Sequence, residues 1–495
     1  MFKKILIANR GEIALRIIRA CKDLGIRSAA VYSEVDIKSL HTRFADEAYL
    51  IGPPQSDQSY LNKQKILDLA KNIDADAIHP GYGFFAENAD FIEAVESSGI
   101  TFIGPSSKSV RMMGSKTAAR ELMKKNNVPI VPGTTEPIDS VDNGKRIANE
   151  IGYPVLLKAS AGGGGKGMRK ISSESEFDSA FESTKREALK AFADDSVYIE
   201  KYLENPKHIE VQVIADKHGN YRHLFERECS IQRRHQKIIE EAPSVFVDEI
   251  TRKKITVAAL SAAKACSYFN AGTIEFLMDK NKDFYFLEMN TRLQVEHPVT
   301  EIITGIDIVA EQISIAAGNE ISFSQSDIKI NGYALECRIY AEDSVNGFLP
   351  STGTIAHYNQ PSGPGVRVDS GCSTGSDISI YYDPMIAKLI TFSKNRSEAI
   401  NKMKRALSEY YISGLITNID FLKIIIAHSD FESGNYDINF IDREIGNILT
   451  KDSSSPDENE DAAAILSAVM KYQKISNGFK EKKASENKWG ELQYE

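Results

Sequence analysis

The sequence has no run approaching the roughly 18 to 20 uncharged apolar residues that a membrane-crossing helix needs, so no membrane association is expected. Its opening, Met1-Phe2-Lys3-Lys4-Ile5-Leu6-Ile7-Ala8-Asn9-Arg10, has too short an apolar stretch for a secretory leader, and the expected location is the cytoplasm. Cysteine is sparse: Cys21, Cys229, Cys266, Cys337 and Cys372 are scattered, odd in number and form no Cys-x-x-Cys. Buried free thiols in a reducing compartment are the expectation. An excess of positive charge is also missing. Sixty Lys and Arg face 69 Asp and Glu, a net charge of −9, which argues against a nucleic-acid partner but leaves room for a local basic cluster around a small phosphate-bearing molecule. No solenoid repeat is visible. With 42% apolar and 26% charged residues, the 495-residue chain is neither fibrous nor wholly disordered, and it has enough length for two to four domains.

The first hundred residues alternate strand and helix. Ile5-Leu6-Ile7-Ala8 reads as a buried strand, Asn9-Arg10-Gly11 as a loop, and Ile13, Ile17, Cys21 and Leu24 recur at helical spacing. Residues 27–33, Asp76-Ala77-Ile78-His79-Pro80 and Thr101-Phe102-Ile103-Gly104 read as further strands. The pattern predicts a doubly wound parallel sheet. The loop after the first strand has a single glycine, so a dinucleotide-binding GxGxxG is absent. A second region, about 114–330, carries strand-like Val155–Lys158, Val211–Ile214 and Phe284–Glu288. A third, about 331–446, opens on Ala334–Tyr340 and ends in helical patterns. The acidic, polar stretch 452–461 reads as a linker, followed by a helical pattern over 462–475 and a charged tail containing Trp489.

Four local patterns could carry chemistry. Lys158-Ala159-Ser160-Ala161-Gly162-Gly163-Gly164-Gly165-Lys166-Gly167-Met168 follows an apolar strand, so it reads as a phosphate cover rather than a free linker. It is not a Walker A loop, because the GxxxxGK[ST] order fails. Glu275 and Glu288, each in an apolar strand-like run and followed by Asn290, offer the oxygen ligands that Mg²⁺ prefers. Arg292, Gln294 and Glu296 alternate within five residues. In an extended segment they would share one face, with Arg292 binding an oxyanion and Glu296 accepting its proton. The polar, basic run Glu226–Lys237 reads by itself as a solvated face.

Taken together, these residues closely resemble biotin carboxylase, the ATP-grasp component of biotin-dependent carboxylases, over about residues 1–446. The matching motifs are Ile7–Ala14, His79-Pro80-Gly81-Tyr82-Gly83, the loop 161–168, Cys229–Lys237, and Glu288–Thr300. The resemblance implies an α/β and α+β fold: an N-terminal doubly wound pre-ATP-grasp domain (1–113), an ATP-grasp domain (114–330) with a mobile lid (about 131–203), a C-terminal biotin carboxylase domain (331–446), and a linker, short helix and charged tail (447–495).

It further implies a ligase that makes carboxyphosphate from ATP and bicarbonate and then carboxylates biotin. Lys116, Lys158 and His208 would contact ATP phosphates beneath Gly162, Gly163, Gly164, Gly165, Lys166 and Gly167. Glu200, Lys201 and Leu203 would line the adenine pocket, with Gln232, His235 and Leu277 nearby. Glu275 and Glu288 would hold Mg²⁺ or Mn²⁺, with Asn290 close, and Lys237 would steady carboxyphosphate. Arg292, Gln294, Val295 and Glu296 would cradle bicarbonate, with Glu296 as base. Arg338 would stabilise the biotin enolate, and Tyr82 and Gly83 would border biotin. Arg16 and Arg19 match positions at a homodimer interface.

Met470-Lys471-Tyr472 is not a biotinyl site, because position 472 is Tyr and too few residues remain for the carrier domain. Biotin is therefore expected on a separate biotin carboxyl carrier protein, with a carboxyltransferase as a further component of a larger complex. Deleting 451–495 tests whether the extension docks a partner. The expected acceptor is acetyl-CoA or propionyl-CoA, with pyruvate the alternative. Another ATP-grasp ligase, such as a carbamoyl-phosphate-forming enzyme, is disfavoured by Arg338 and the Tyr82 segment. A non-catalytic scaffold is disfavoured by Lys237, Glu275, Glu288 and Glu296.

Overall fold

A computed structural model describes residues 1–134, 136–159, 168–192, 195–444, 446 and 468–469. Met1–Arg443 forms one compact unit and Glu444–Glu495 another. In the first unit, strands Glu47–Gly52, Arg27–Ser33, Lys4–Ile7, Ala77–His79 and Thr101–Phe102 lie in that order in one sheet. Every pairing is parallel, as the alternation of strands and helices predicts. Ile5, Leu6 and Ile7 are fully buried, as in a parallel sheet covered on both faces. The strand order reverses between Lys4–Ile7 and Ala77–His79, so the loops that leave these two strands open a crevice at the switch point. Asn9 Nδ2 donates to the carbonyls of Pro80 (2.6 Å) and Tyr82 (2.7 Å), tying the two loops together. Gly81 sits between them at φ +63°, where a Cβ would come within 3.0 Å of Asn9 Nδ2.

A small unit follows. Met168–Ile171, Val155–Ala159 and Val197–Lys201 form an antiparallel sheet. Helices Val141–Ile151 and Phe177–Phe192 accompany it. Val155, Leu157, Phe177, Phe181 and Ile199 make a core separate from the rest.

The largest sheet has eight strands in the order Phe284–Asn290, Asn270–Met278, Lys207–Ala215, Tyr221–Arg233, Gln236–Ala242, Tyr333–Tyr340, Met385–Ser393 and Val366–Ser370. All its pairings are antiparallel. The sheet runs unbroken across residue 330, because Gln236–Ala242 pairs directly with Tyr333–Tyr340. One face packs against helix Glu249–Ala265 through Ile209, Val211, Ile274 and Phe276.

Two local expectations are corrected. Glu226–Arg233 is not a solvated face but lies wholly buried in mid-sheet, where Arg252, Glu210, Lys207 and Glu342 pair with its four charges. Only the turn residues Arg234 and His235, at φ +49° and +66°, are exposed. The strand that reaches Asn290 also stops there. Thr291–Glu296 is a loop that turns into helix His297–Thr304, which has Pro298 in its first turn, so Arg292, Gln294 and Glu296 are not arranged by strand alternation.

Among the described residues no helix is long and apolar enough to cross a membrane. All five cysteines are free, four of them buried and Cys372 half-buried. Of the helix expected over 462–475, Ala468 and Val469 are described, both helical and exposed. The rest, Trp489 included, lies outside the described residues.

Candidate active site

The face of the antiparallel sheet opposite helix Glu249–Ala265 carries a row of acids. Glu288 stands opposite Glu275, and Glu275 opposite Glu210. Like charges facing each other across strands repel, so this row calls for cations. Lys237 supplies one: its Nζ donates to Glu210 Oε2 (2.5 Å), Glu275 Oε1 (2.8 Å) and Glu296 Oε1 (2.7 Å). Arg227, with no solvent exposure, supplies the other. It donates to Glu210 Oε1 (2.5 Å), Gln212 (2.7 Å), Gln294 (2.7 Å), Thr300 (3.0 Å) and Thr273 (3.1 Å). All five guanidinium hydrogens thus have an acceptor, as a buried Arg requires.

Glu275 also accepts from Asn290 Nδ2 (2.8 Å) and Gln294 Nε2 (2.7 Å), and His208 Nε2 stands 3.1 Å away. Burial pushes the Glu275 carboxyl up, but Lys237 and His208 outweigh it and hold it well below the usual carboxylate range. Glu288 goes the other way, raised by burial and then by the Glu275 charge. Lys237 is held well above the usual lysine range, the three carboxylates overcoming burial.

Glu296 joins this cluster to Arg338. Arg338 donates from Nε to Glu240 Oε1 (2.6 Å) and from a terminal nitrogen to Glu296 Oε2 (2.9 Å). Burial opposes the Glu296 charge, yet Lys237 and Arg338 together keep its carboxyl strongly lowered. Behind Arg338, burial pushes Glu240 up to about 7, only partly offset by Arg338. Arg292 does not reach Glu296. Its Nε donates to Glu87 (2.8 Å) and a terminal nitrogen to Asn290 Oδ1 (3.0 Å). The Val295 carbonyl accepts from Lys388 Nζ (2.8 Å). Tyr82 donates its hydroxyl to Glu12, and Gly83 follows at φ +70° with open space around it.

On the nucleotide side, Lys158 and Glu200 form an ion pair across neighbouring strands of the small sheet, and Arg120 donates to the same carboxylate (2.6 Å). Lys201 Nζ is bonded to the Gly152 carbonyl (2.6 Å), and Leu203 lies just past that strand's end. Lys116 begins helix Lys116–Lys125. Leu277 faces His208 across two strands of the large sheet. Gln232 donates to the Cys229 carbonyl (2.8 Å), and exposed His235 caps the hairpin beside it. Gly162, Gly163, Gly164, Gly165, Lys166 and Gly167 lie outside the described residues. Arg16 is buried and bound within its own chain to Glu301 (2.7 Å) and Asp307 (2.6 Å), whereas Arg19 is exposed.

The sequence reading missed Glu12, Glu87, Arg120, Glu210, Arg227, Glu240 and Lys388. A signal existed for Glu210: His208, Glu210 and Gln212 alternate with apolar residues, which marks one polar face on a buried strand.

A doubly wound sheet, a small two-layer unit and an antiparallel sheet lined with acids and a shared lysine together define an ATP-grasp ligase. Residues 1–110 match the description "Biotin carboxylase, N-terminal domain", residues 115–323 "Carbamoyl-phosphate synthase L chain, ATP binding domain", and residues 336–443 "Biotin carboxylase C-terminal domain". A pyruvate carboxylase subunit of Methanothermobacter thermautotrophicus is 55% identical over 442 residues, covering 89% of this chain and 90% of that one. Biotin carboxylase 1 of Bacillus subtilis is 53% identical over 443 residues, covering 89% and 98%. The biotin carboxylase domain dimer of Hydrogenobacter thermophilus 2-oxoglutarate carboxylase, solved with MgADP, ADP and bicarbonate, superposes with a TM-score of 0.83 at 50% identity, covering 91% of this chain and 99% of that one. The chain belongs to the biotin carboxylase family, the ATP-dependent ligase subunits of biotin-dependent carboxylases.

Proposed function

We propose that this chain carboxylates biotin held on a separate carrier protein, using ATP and bicarbonate and passing through carboxyphosphate. The observation that carries this reading is the cluster in which Lys237 bridges Glu210, Glu275 and Glu296 while Arg338 shares Glu296. Glu296 takes the bicarbonate proton. Held by Lys237 and Arg338, which stabilise its charge, it is ionised but a weak base. When Lys237 turns to the transferred phosphoryl group, that stabilisation drops and Glu296 becomes a stronger base. Arg292, Gln294 and Val295 hold bicarbonate. Arg338 meets the charge that develops on the ureido oxygen, and Tyr82 and Gly83 border the ring.

Glu275 and Glu288, with Asn290 beside them, fit a hard divalent cation. Their donors are all oxygen, and Glu275 is held ionised. Mg²⁺ or Mn²⁺ bound there would offset phosphate charge. Lys116, Lys158 and His208 would bind the phosphates under the 162–167 loop. Glu200, Lys201, Leu203, Gln232, His235 and Leu277 would surround the base. We assign residues 1–113, 114–330 and 331–446 as the three domains, with 131–203 as a lid that excludes water from carboxyphosphate. The working assembly is a homodimer through the Arg16 and Arg19 surface, within a complex containing the carrier protein and a carboxyltransferase.

The proposed acceptor is acetyl-CoA or propionyl-CoA. A second reading, the biotin carboxylase component of a two-subunit pyruvate carboxylase, is favoured by the pyruvate carboxylase relative at 55% identity. Phosphate release with ATP, Mg²⁺ and bicarbonate, with and without free biotin, tests the half-reaction. Release should rise with biotin and be lost in Glu296→Ala; release indifferent to biotin would refute it. Identifying the carboxyltransferase co-purified with the tagged chain, and assaying acetyl-CoA, propionyl-CoA and pyruvate on that complex, decides the acceptor.

A further inference from the structure

Lys388 sits mid-strand in Met385–Ser393, and its side chain has no solvent exposure. It lies directly opposite Arg338 on one neighbouring strand and opposite Asp369 on the other. Two cations facing each other in a sheet repel, and a buried ammonium is unfavourable unless paired. An apolar side chain would be the easier occupant of such a position, so what Lys388 holds is informative. Its Nζ donates to the Val295 carbonyl at 2.8 Å. It stands 3.2 Å from Glu12 Oε1 and 3.9 Å from Asp369 Oδ2. Glu12, also buried, accepts the Tyr82 hydroxyl. Asp369 is already paired with Arg367 at 2.8 Å, which leaves Glu12 as the nearer counter-charge. Arg338 takes its own two carboxylates, Glu240 and Glu296. One buried ammonium therefore grips the backbone between Gln294 and Glu296 and, through a single carboxylate, the Tyr82 hydroxyl.

We infer that Lys388 is a positioning residue that locks the Val295 carbonyl of the bicarbonate side, directly, and the Tyr82 hydroxyl of the biotin side, through Glu12, into one arrangement. The inference rests on the proposed assignment of Val295 and Tyr82 to those two substrates. It makes the two pockets mechanically dependent: disturbing Lys388 loosens both, and disturbing Glu12 loosens chiefly the biotin side.

The test uses the full chain and steady-state phosphate release, varying bicarbonate, free biotin and ATP in turn. Lys388→Met removes a charge-assisted hydrogen bond, so the KM values for bicarbonate and for biotin should each rise roughly tenfold, with that for ATP within about twofold of wild type. Glu12→Gln keeps the volume and an acceptor for Tyr82 but loses the charge facing Lys388; the biotin KM should rise more than the bicarbonate KM. Lys388→Arg keeps the charge but replaces the compact ammonium with a bulkier, planar guanidinium, and should fall between wild type and Lys388→Met. If Lys388→Met does not fold, Glu12→Gln, Lys388→Arg and their double variant decide. Coupled residues predict a double-variant rise in biotin KM smaller than the product of the single rises. Independent, multiplying effects overturn the link. So does a rise confined to one substrate in the Lys388 variants, or a parallel rise in the ATP KM, which marks general loosening. Wild-type protein without biotin-stimulated release overturns the proposed function and this link together. Normal stimulation with unmoved constants in folded Lys388 variants overturns the link alone.

Discussion

The five-stranded parallel sheet and the eight-stranded antiparallel sheet are both buried, but they bury different chemistry. Strand Lys4–Ile7 contributes Ile5, Leu6 and Ile7 with no exposure; the neighbouring strands bury only the uncharged Ser28 and Ser33 and, at a strand end, His79, and Asn9, Arg10 and Tyr82 lie in loops beyond the strand ends. The antiparallel strands place Glu210, Arg227, Glu240 and Lys388 inside the sheet itself, equally unexposed. A parallel sheet sandwiched between helices has no face on which a charge could find partners. The antiparallel sheet packs one face on helix Glu249–Ala265, and its other face, partly covered by helix His297–Thr304 and the loop before it, gathers charges with their partners and is the site. The lesson is that one sheet contributes rigidity and loop geometry, while the other contributes reacting and positioning groups directly from its strands.

This contrast can be broken experimentally. Lys237→Met should have the largest effect, lowering bicarbonate-dependent phosphate release roughly a thousandfold, because three carboxylates lose their shared cation; initial-rate assays read this directly. A drop below about tenfold would mean that the sheet's charges are structural rather than reactive. Arg227→Met leaves Glu210 and Gln294 without their buried partner and should lower unfolding free energy by about 3 kcal/mol or more, measured by urea titration. Leu6→Ala, the matching lesion in the parallel sheet, should lose about 2 to 3 kcal/mol through its cavity while leaving the KM values for bicarbonate and biotin unchanged.

The smallest effect belongs to a charge pair among the parallel sheet's loops. Arg10 donates to Asp36 at 2.6 and 2.7 Å, and despite burial it holds that carboxyl at about 2, below its ordinary 3.8. The lowered value means that the folded state gains stability above pH 3.8 and loses it as the pH falls through 2. Asp36→Asn should therefore cost about 2 kcal/mol at neutral pH, with the difference from wild type vanishing towards pH 2 in acid-unfolding curves.

Much of the site was legible because its residues stand out locally. Glu275 and Glu288 interrupt apolar strands, and they do meet across a strand pair. Gln294 and Glu296 are both in the cluster, although a loop rather than strand alternation brings them there. The run Glu226–Lys237 misled for a physical reason. A charge-rich strand is indistinguishable from a solvated one until its partners are known, and those of Arg227 come from as near as Glu210 and as far as Thr300. The partner of Arg292 was hidden for the same reason: Glu87 is about two hundred residues earlier in the chain.

By itself the sequence determined the order of elements, the apolar strands of the parallel sheet and the family motifs, since these depend on neighbours within a few residues. Only the tertiary structure decided which charges are buried and what neutralises them. Burial and pairing are properties of the assembled fold, and Lys237, Arg227, Arg338 and Lys388 acquire their partners only when strands, the 291–296 loop and helix residues such as Glu12 and Thr300 come together.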